Sequence, residues 1–146
     1  MKIEYNNLYL HYILITKDRF PFIKNEQRSR IERYISGIIS HHDSKMYAIY
    51  ANPEHVHFLV SRSPAISDEA FISRIAESSE KFINENYLGM GRFLWQQSAS
   101  AFSVSKADID KVCKYILDQP EHYKKKSFQQ EYEEFIRFYQ RTLKWE

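Results

Sequence analysis

An α+β fold with one antiparallel sheet is predicted by three features of the sequence. Short runs rich in β-branched and aromatic residues, typical of strands, alternate with longer segments whose apolar residues recur every three or four positions, as in helices. The first six of these elements follow the order β-α-β-β-α-β, and two further helical segments come after them. The length of 146 residues fits a single domain, 1–146, which is long enough to bury a core without disulfides.

The first strand is predicted over Leu8–Thr16, where nearly every residue is aromatic, aliphatic or β-branched. Such continuous apolarity indicates a central strand. His11 lies within it, and we interpret it as a core or cross-strand histidine with a satisfied hydrogen bond. Asn25–Ser40 is predicted to be a helix because its apolar residues fall on one stripe. That stripe comprises Ile31, Tyr34, Ile35, Ile38 and Ile39.

Two more strands are predicted at Lys45–Tyr50 and His55–Ser61, and the short link between them fits a hairpin. Ser67 has the character of a helix N-cap, with acidic residues in the first turn, where the helix dipole favours negative charge. The second helix is predicted to run from there to about Asn86. A short fourth strand is predicted around Ala101–Val104.

Two C-terminal helices complete the predicted fold. The first covers about 106–119, because Ser105 is suited to cap it and Pro120 disfavours helical geometry in the residue before it. The second covers about 128–143, after a cap at Ser127. The whole pattern predicts a ferredoxin-like or RRM-like βαββαβ sheet with two helices on one face. The other face is left for a ligand, a partner or the added helices.

Composition narrows the class of protein. The single cysteine, Cys113, cannot form an internal disulfide, which indicates a reducing compartment and predicts a cytoplasmic location. Residues Met1–Asn7 are polar and of mixed charge, so no signal peptide is expected. No apolar run approaches the roughly 20 residues that span a bilayer. The formal net charge of +2 neither demands nor excludes a nucleic-acid partner.

A pair of histidines is the first candidate site. His55 and His57 alternate with apolar residues in the third predicted strand, directly after the Asn52-Pro53 turn. Successive strand side chains point to opposite faces, so both imidazoles project from one face, within about 7 Å of each other. Imidazole nitrogens are common ligands of divalent metals. Because His-x-His pairs also occur as ordinary half-buried residues, the pattern alone leaves both interpretations open.

The second candidate site lies on the first C-terminal helix. Tyr115 and Gln119 are four residues apart, which places them on one helix face, one turn from each other. Taken alone, they are better explained as an amphipathic tyrosine at the edge of the core and a glutamine near a helix end than as site residues.

In combination, these residues resemble the HUH single-tyrosine transposases of bacterial insertion sequences and their REP-associated tyrosine transposase relatives. The resemblance extends over nearly the whole chain. It rests on His55-Val56-His57, Tyr115-x-x-x-Gln119, Thr16-Lys17-x-Arg19, Leu94-Trp95-Gln96, Phe102-Ser103-Val104-Ser105 and Gln119-Pro120-Glu121-His122.

The resemblance implies a function for each candidate residue. His55, His57 and Gln119 would bind Mg²⁺ or Mn²⁺, and Tyr115 would be the nucleophile that forms a 5′-phosphotyrosine intermediate. The implied substrate is single-stranded DNA with an imperfect hairpin, in the bacterial cytoplasm, without a nucleotide cofactor or a membrane. The implied assembly is a homodimer, and in many members the tyrosine helix of one subunit completes the metal site of the other.

Basic residues are candidates for contacts with DNA. Lys17 and Arg19 follow the first strand, and Lys124, Lys125 and Lys126 precede the last helix. Lysine and arginine contact phosphates in most nucleic-acid complexes. A lysine triplet before a helix is also typical of a solvated surface, so its role in binding stays an expectation.

The sequence departs from the pattern of these transposases in two places. The segment Gln97-Ser98-Ala99-Ser100 stands where such transposases often have Gly-aromatic-Gly, and Glu54 stands where Asp is common.

One alternative function is a non-mobile nuclease that cuts REP-type hairpins. The other is a catalytically silent nucleic-acid-binding module, although the chain lacks the Gly-rich aromatic motif of RNA-recognition domains.

Overall fold

The described part of the chain, residues 1–123 and 127–143 of the computed structural model, contains one sheet of four antiparallel strands. None of the helices in these ranges combines the length and apolar character that crossing a membrane requires. The elements in chain order are β1 (Tyr9–Thr16), α1 (Arg28–His41), β2 (Lys45–Ala51), β3 (His55–Ser61), α2 (Asp68–Glu85), β4 (Trp95–Val104), α3 (Ile109–Leu117), α4 (Gln119–Tyr123) and α5 (Phe128–Leu143). The strand order β2-β3-β1-β4 confirms the predicted βαββαβ arrangement.

Helices α1 and α2 cover one face of the sheet because each presents an apolar stripe to the alternate residues of β3. Val56, Phe58 and Val60 point to this face and are fully buried. Burying a side chain of this size contributes about 1.5–3 kcal/mol, so this layer forms the main core. The helical residues buried against it are Ile31, Ile35 and Ile39 from α1 and Phe71, Ile75 and Ile83 from α2.

The C-terminal helices cover the opposite face. His55, His57 and Leu59 point to it, because they occupy the other set of alternate positions in β3. Ile116 of α3 is buried in the same small apolar cluster as Leu59. Tyr132 of α5 packs on the same side of the sheet, against residues of β1. The face that the sequence left for a ligand, a partner or more helices is therefore occupied by helices of the same chain.

Most element boundaries confirm the sequence-based expectations. Strand β3 begins and ends as predicted, whereas α1 begins at Arg28, three residues late, because Asn25–Gln27 forms a separate 3₁₀ turn. Ser67 caps α2 by accepting a hydrogen bond from the backbone N–H of Ala70 at 3.1 Å. Ser127 caps α5 in the same way. These two helix starts were readable from the sequence because capping depends on local chemistry.

Strand β4 is longer than predicted. It begins at Trp95, six residues before the expected start at Ala101, and pairs antiparallel with the whole of β1 as far as Val104. Residues 96–100 are glutamine, serine and alanine, which have little strand propensity of their own. The neighbouring strand therefore determines this part of the sheet, and the prediction of a four-residue strand was wrong.

The predicted tyrosine helix is divided in the structure. Residues Lys106–Asp108 form a 3₁₀ turn, and α3 then ends at Leu117. Pro120 lies in the first turn of the short helix α4 instead of following the end of a helix. Proline is tolerated there because the N–H it lacks would have no partner within the helix. Ser105 bonds to the Asp108 carboxylate at 3.0 Å rather than to a backbone N–H.

Candidate active site

The predicted histidine pair lies at the start of β3 and faces the C-terminal helices. The ring centroids of His55 and His57 are 4.8 Å apart, and the two residues are 0 % and 2 % exposed. Burial lowers the pKa of His55, against the opposing effect of the Glu54 carboxylate beside it. A neutral imidazole is the form that binds a metal ion, so burial favours the state that a ligand requires.

The hydrogen bonds of His55 determine which of its nitrogens faces the site. Its Nδ1 lies 2.9 Å from Oε1 of Glu54, and its Nε2 lies 3.1 Å from Nδ2 of Asn52. An ionised carboxylate only accepts hydrogen bonds, so in the neutral ring Nδ1–H donates to Glu54. The Nε2 lone pair then accepts a hydrogen bond from the Asn52 amide. Nε2 is therefore the nitrogen of His55 that carries a lone pair, and a cation that binds it would have to displace the Asn52 amide.

The structure brings Gln119 and Tyr115 of the same chain to the histidine pair. Gln119 is fully buried, and its Oε1 accepts a hydrogen bond from Nδ2 of Asn52 at 3.3 Å. Its Nε2 donates to the backbone carbonyl of Tyr115 at 3.2 Å. The Tyr115 and His57 ring centroids are 5.8 Å apart. The break between α3 and α4 thus leaves the two predicted side chains close together, beside His55 and His57.

Glu131 of α5 is a residue of the site that sequence reasoning missed. It is 7 % exposed and accepts hydrogen bonds from the Tyr115 hydroxyl and, at 3.4 Å, from Nε2 of Gln119. In the sequence it is an acidic residue in the first turn of a capped helix, which the helix dipole explains equally well. No local signal distinguishes it, because its role depends on how α5 packs.

Asn52 was also missed as a site residue, although the sequence carries a weak signal for it. It precedes Pro53 in a predicted turn, yet it is only 2 % exposed, whereas most turn asparagines are solvated. Its side-chain amide joins His55 to Gln119. The residue therefore connects the strand half of the site to the helix half.

His11 confirms the interpretation of a cross-strand core histidine. It is fully buried, and its Nε2 lies 2.9 Å from Nδ1 of His57. Burial lowers its pKa to about 3. A polar residue in the middle of an apolar strand was the sequence signal for it, but the identity of its partner depends on strand register.

The donor set of this site fits a divalent cation. Neutral imidazole nitrogens are common ligands of divalent metals, and an amide oxygen is a ligand that suits Mg²⁺ and Mn²⁺. Among the described residues, no three His, Cys, Asp or Glu side chains are grouped so that they could hold an ion. A cation bound by His55 and His57 would therefore depend on the Gln119 amide oxygen as its third protein ligand.

The histidine pair is closed off from solvent in this structure, but its surroundings are polar. Asn52, Gln119 and Glu131 are all buried beside it. The amides of Asn52 and Gln119 can face a cation or a phosphate, and the Glu131 carboxylate suits a cation, whereas a site enclosed by apolar side chains would suit neither ion.

Two of the predicted DNA-binding cations lie near the site. Lys17 and Arg19 line an open cavity of about 530 Å³, together with Trp95 of β4. The cavity lies at the end of the sheet where β3 begins, since the backbone N–H of Thr16 donates to the carbonyl of Glu54 at 2.9 Å. The lysine triplet Lys124, Lys125 and Lys126 lies outside the described residues.

The fold and site together define a class. A βαββαβ sheet whose paired-histidine strand faces a tyrosine helix is the arrangement of the HUH single-tyrosine transposases. The chain matches the family model described as "Transposase IS200 like" over residues 4–119, and it therefore belongs to that family and is a transposase.

Solved structures share the fold, among them the following two. A protein of Deinococcus radiodurans R1, described as a candidate transposase, is 20 % identical with a TM-score of 0.62, and the match covers 82 % of this chain and 96 % of that one. A REP-associated tyrosine transposase bound to a REP hairpin is 12 % identical with a TM-score of 0.62, covering 84 % of this chain and 74 % of that one. No curated protein matches the chain.

We expect the metal-free protein to lose stability as the pH falls from about 6.5 towards 3. The pKa of His11 is about 3 in the folded protein, against its ordinary value of 6.5 in the unfolded chain. Between these values the unfolded state binds the extra proton, so the free energy of unfolding falls by up to about 1.4 kcal/mol per pH unit. Urea unfolding in EDTA over this range measures the slope.

The variant His11→Gln is the matched control for this pH dependence. It removes the buried imidazole but keeps a polar side chain of similar length. The part of the pH dependence of the free energy of unfolding that is due to His11 should therefore disappear. A slope identical to that of the parent protein would show that His11 does not carry the effect.

Proposed function

We propose that this transposase cleaves and rejoins single-stranded DNA through a covalent link between Tyr115 and a 5′-phosphate, with Mg²⁺ or Mn²⁺ bound by His55, His57 and Gln119. The observation that supports this most is the placement of one phenol beside paired imidazoles within a single chain. The Tyr115 and His57 rings are 5.8 Å apart, and Gln119 shares the Asn52 amide with His55.

In the proposed reaction, the Tyr115 Oη attacks the scissile phosphorus while the bond from phosphorus to the 3′ oxygen breaks. The products are a tyrosine–5′-phosphate ester and a free 3′-hydroxyl, which takes up a proton. Attack by another 3′-hydroxyl reverses the step and joins new strands without ATP, because the ester conserves the bond. A bound Mg²⁺ or Mn²⁺ would supply positive charge that stabilises the phosphoryl oxygens during the transfer.

The protein residues supply the nucleophile and its orientation. A phenol with a pKa near 10 is a weak nucleophile at neutral pH, so its proton needs an acceptor. The Glu131 carboxylate accepts the hydrogen bond of the Tyr115 hydroxyl and is placed to receive that proton. Asn52 holds the Gln119 amide with its oxygen towards the histidine side of the site.

Opening the site is part of the proposal, because His55 and His57 are buried. The bonds of Glu131 with Tyr115 and Gln119 join the C-terminal helices to one another, whereas the bond from Asn52 to Gln119 joins a helix to the sheet. We expect the helices to lift from the sheet together. The nucleophile and its carboxylate then stay paired while DNA enters.

The proposed substrate is single-stranded DNA that carries a hairpin. The structural neighbour bound to a REP hairpin supports this class of substrate. The cavity lined by Lys17 and Arg19 gives phosphates an approach at the end of the sheet where the site lies. A cytoplasmic location and a homodimer belong to the same proposal.

A non-mobile REP-type hairpin nuclease is the second candidate function, and the likeness to the REP-associated transposase favours it. A silent module that stacks bases on its sheet has less support. The sheet face that such a module would use is covered by α3 and α5 in the described structure.

Tyr115→Phe is expected to abolish the covalent adduct while leaving the protein folded. The test uses hairpin DNA labelled at its 3′ end and incubated with Mn²⁺, since the fragment downstream of the cut is the one that stays on the tyrosine. Denaturing electrophoresis then separates adduct from free DNA. Tyr47→Phe is the control, because Tyr47 packs in the same apolar cluster as Tyr115 and is given no part in the proposed reaction. An adduct formed by Tyr115→Phe would refute the assignment of the nucleophile.

Lys17→Ala and Arg19→Ala are each expected to weaken hairpin binding and its salt dependence. Each lost phosphate contact reduces the slope of log K against log salt concentration by about 0.7–0.9. Fluorescence anisotropy in EDTA measures binding without cleavage. Lys81→Ala is the matched control, since Lys81 is an exposed cation on α2. That helix covers the face of the sheet opposite to the one that carries His55 and His57. If neither variant differs from Lys81→Ala in its slope, these residues do not contact phosphates.

A further inference from the structure

His11 lies beside the proposed metal site but has no part in the function described so far. It occupies the middle of β1, opposite Leu59 of β3, while His57 lies opposite Ile13. His11 and His57 are thus diagonal neighbours on one face of the sheet, a separation that long and aromatic side chains can bridge. Their Nε2 and Nδ1 atoms are 2.9 Å apart.

This hydrogen bond has two possible directions with different consequences. If His57 Nδ1–H donates to His11 Nε2, a neutral His57 keeps a lone pair on its own Nε2. If His11 Nε2–H donates instead, His57 accepts at Nδ1, carries its hydrogen on Nε2 and offers no lone pair to a cation. Only the first direction is compatible with His57 as a ligand.

Metal-binding histidines generally donate their second N–H to an acceptor that sets the tautomer and orientation of the ring. His55 has such an acceptor in Glu54. For His57 the group at Nδ1 is the imidazole of His11. The His11 ring is fully buried and makes edge contacts with the rings of Phe102 and Tyr115, so its own position is well defined.

We propose that His11 is a positioning residue: it accepts a hydrogen bond from Nδ1 of His57 and so holds His57 in the tautomer whose Nε2 faces the cation. This rests on the proposed metal site. It assigns His11 an action through His57 and no contact with the cation or the DNA. It also gives each of the two histidine ligands a partner of its own.

The test compares His11→Leu, which removes the acceptor, with His11→Gln, whose carboxamide oxygen can take the place of Nε2. Two-bond ¹⁵N–¹H NMR of the metal-free and Mg²⁺-loaded proteins reports the tautomer of His57. We expect the Nδ1–H form in the parent and in His11→Gln, and its loss in His11→Leu. A parent His57 protonated at Nε2 would overturn the proposal, and this readout needs no variant to fold.

Mn²⁺ binding, followed by electron paramagnetic resonance, is the second readout. His11→Leu should weaken binding about 10–100-fold, which is typical when a metal ligand loses its hydrogen-bond partner, and His11→Gln should restore most of it. Tyr12→Phe is the stability control, because the neighbouring Tyr12 points to the other face and donates to Asp68 at 2.6 Å. Its Mn²⁺ affinity should equal that of the parent.

His57→Ala separates failure of this inference from failure of the metal site. If His57→Ala loses Mn²⁺ binding but His11→Leu binds as the parent does, His11 has no positioning role and the metal site stands. If His57→Ala binds Mn²⁺ as tightly as the parent, the metal site itself is wrong, and the role of His11 falls with it.

Discussion

The structure depends on satisfying two imidazoles buried in the middle of the protein. His55 and His57 face the second side of the sheet, where the only cover in the described chain is its own C-terminal helices. A buried polar group without a partner costs about 1–3 kcal/mol, so helices that covered this face with apolar side chains alone would be disfavoured. The imidazoles instead have polar partners, Glu54 and Asn52 for His55 and His11 for His57. The covering helices add the Gln119 amide and the Glu131 carboxylate, and Asn52 joins His55 to Gln119.

The contacts between the C-terminal helices and the sheet bring the candidate site residues together and also cover them. Tyr115 and Gln119 reach the histidine strand only because α3 packs on the sheet through Ile116, in an apolar cluster far smaller than the main core. A small contact area is suited to helices that have to move, since less apolar surface must be exposed when they do. In the proposed mechanism, chemistry and access therefore use the same interface, while the large core on the opposite face of the sheet stays in place.

The parts of the protein that were predicted from sequence are those governed by local chemistry. Strand β3 and the cap at Ser67 follow from side-chain alternation and from a hydroxyl suited to a helix start. The start of β4 could not be predicted from the sequence, because pairing with β1 extends the strand over residues of low strand propensity. The predicted ligands and nucleophile lie together, but Asn52 and Glu131 were missed, since each acquires its role only when distant elements pack.

The central claim is that one chain supplies both the nucleophile and the metal ligands, and a mixed-subunit experiment tests it most directly. Tyr115→Phe and His57→Ala proteins, carrying different tags, are co-expressed and purified through both tags, and covalent adduct on labelled hairpin DNA is measured. The account predicts no more adduct than either variant forms alone, because neither chain holds a whole site. Adduct well above both single variants would show that the tyrosine of one subunit serves the histidines of the other, and would contradict the account.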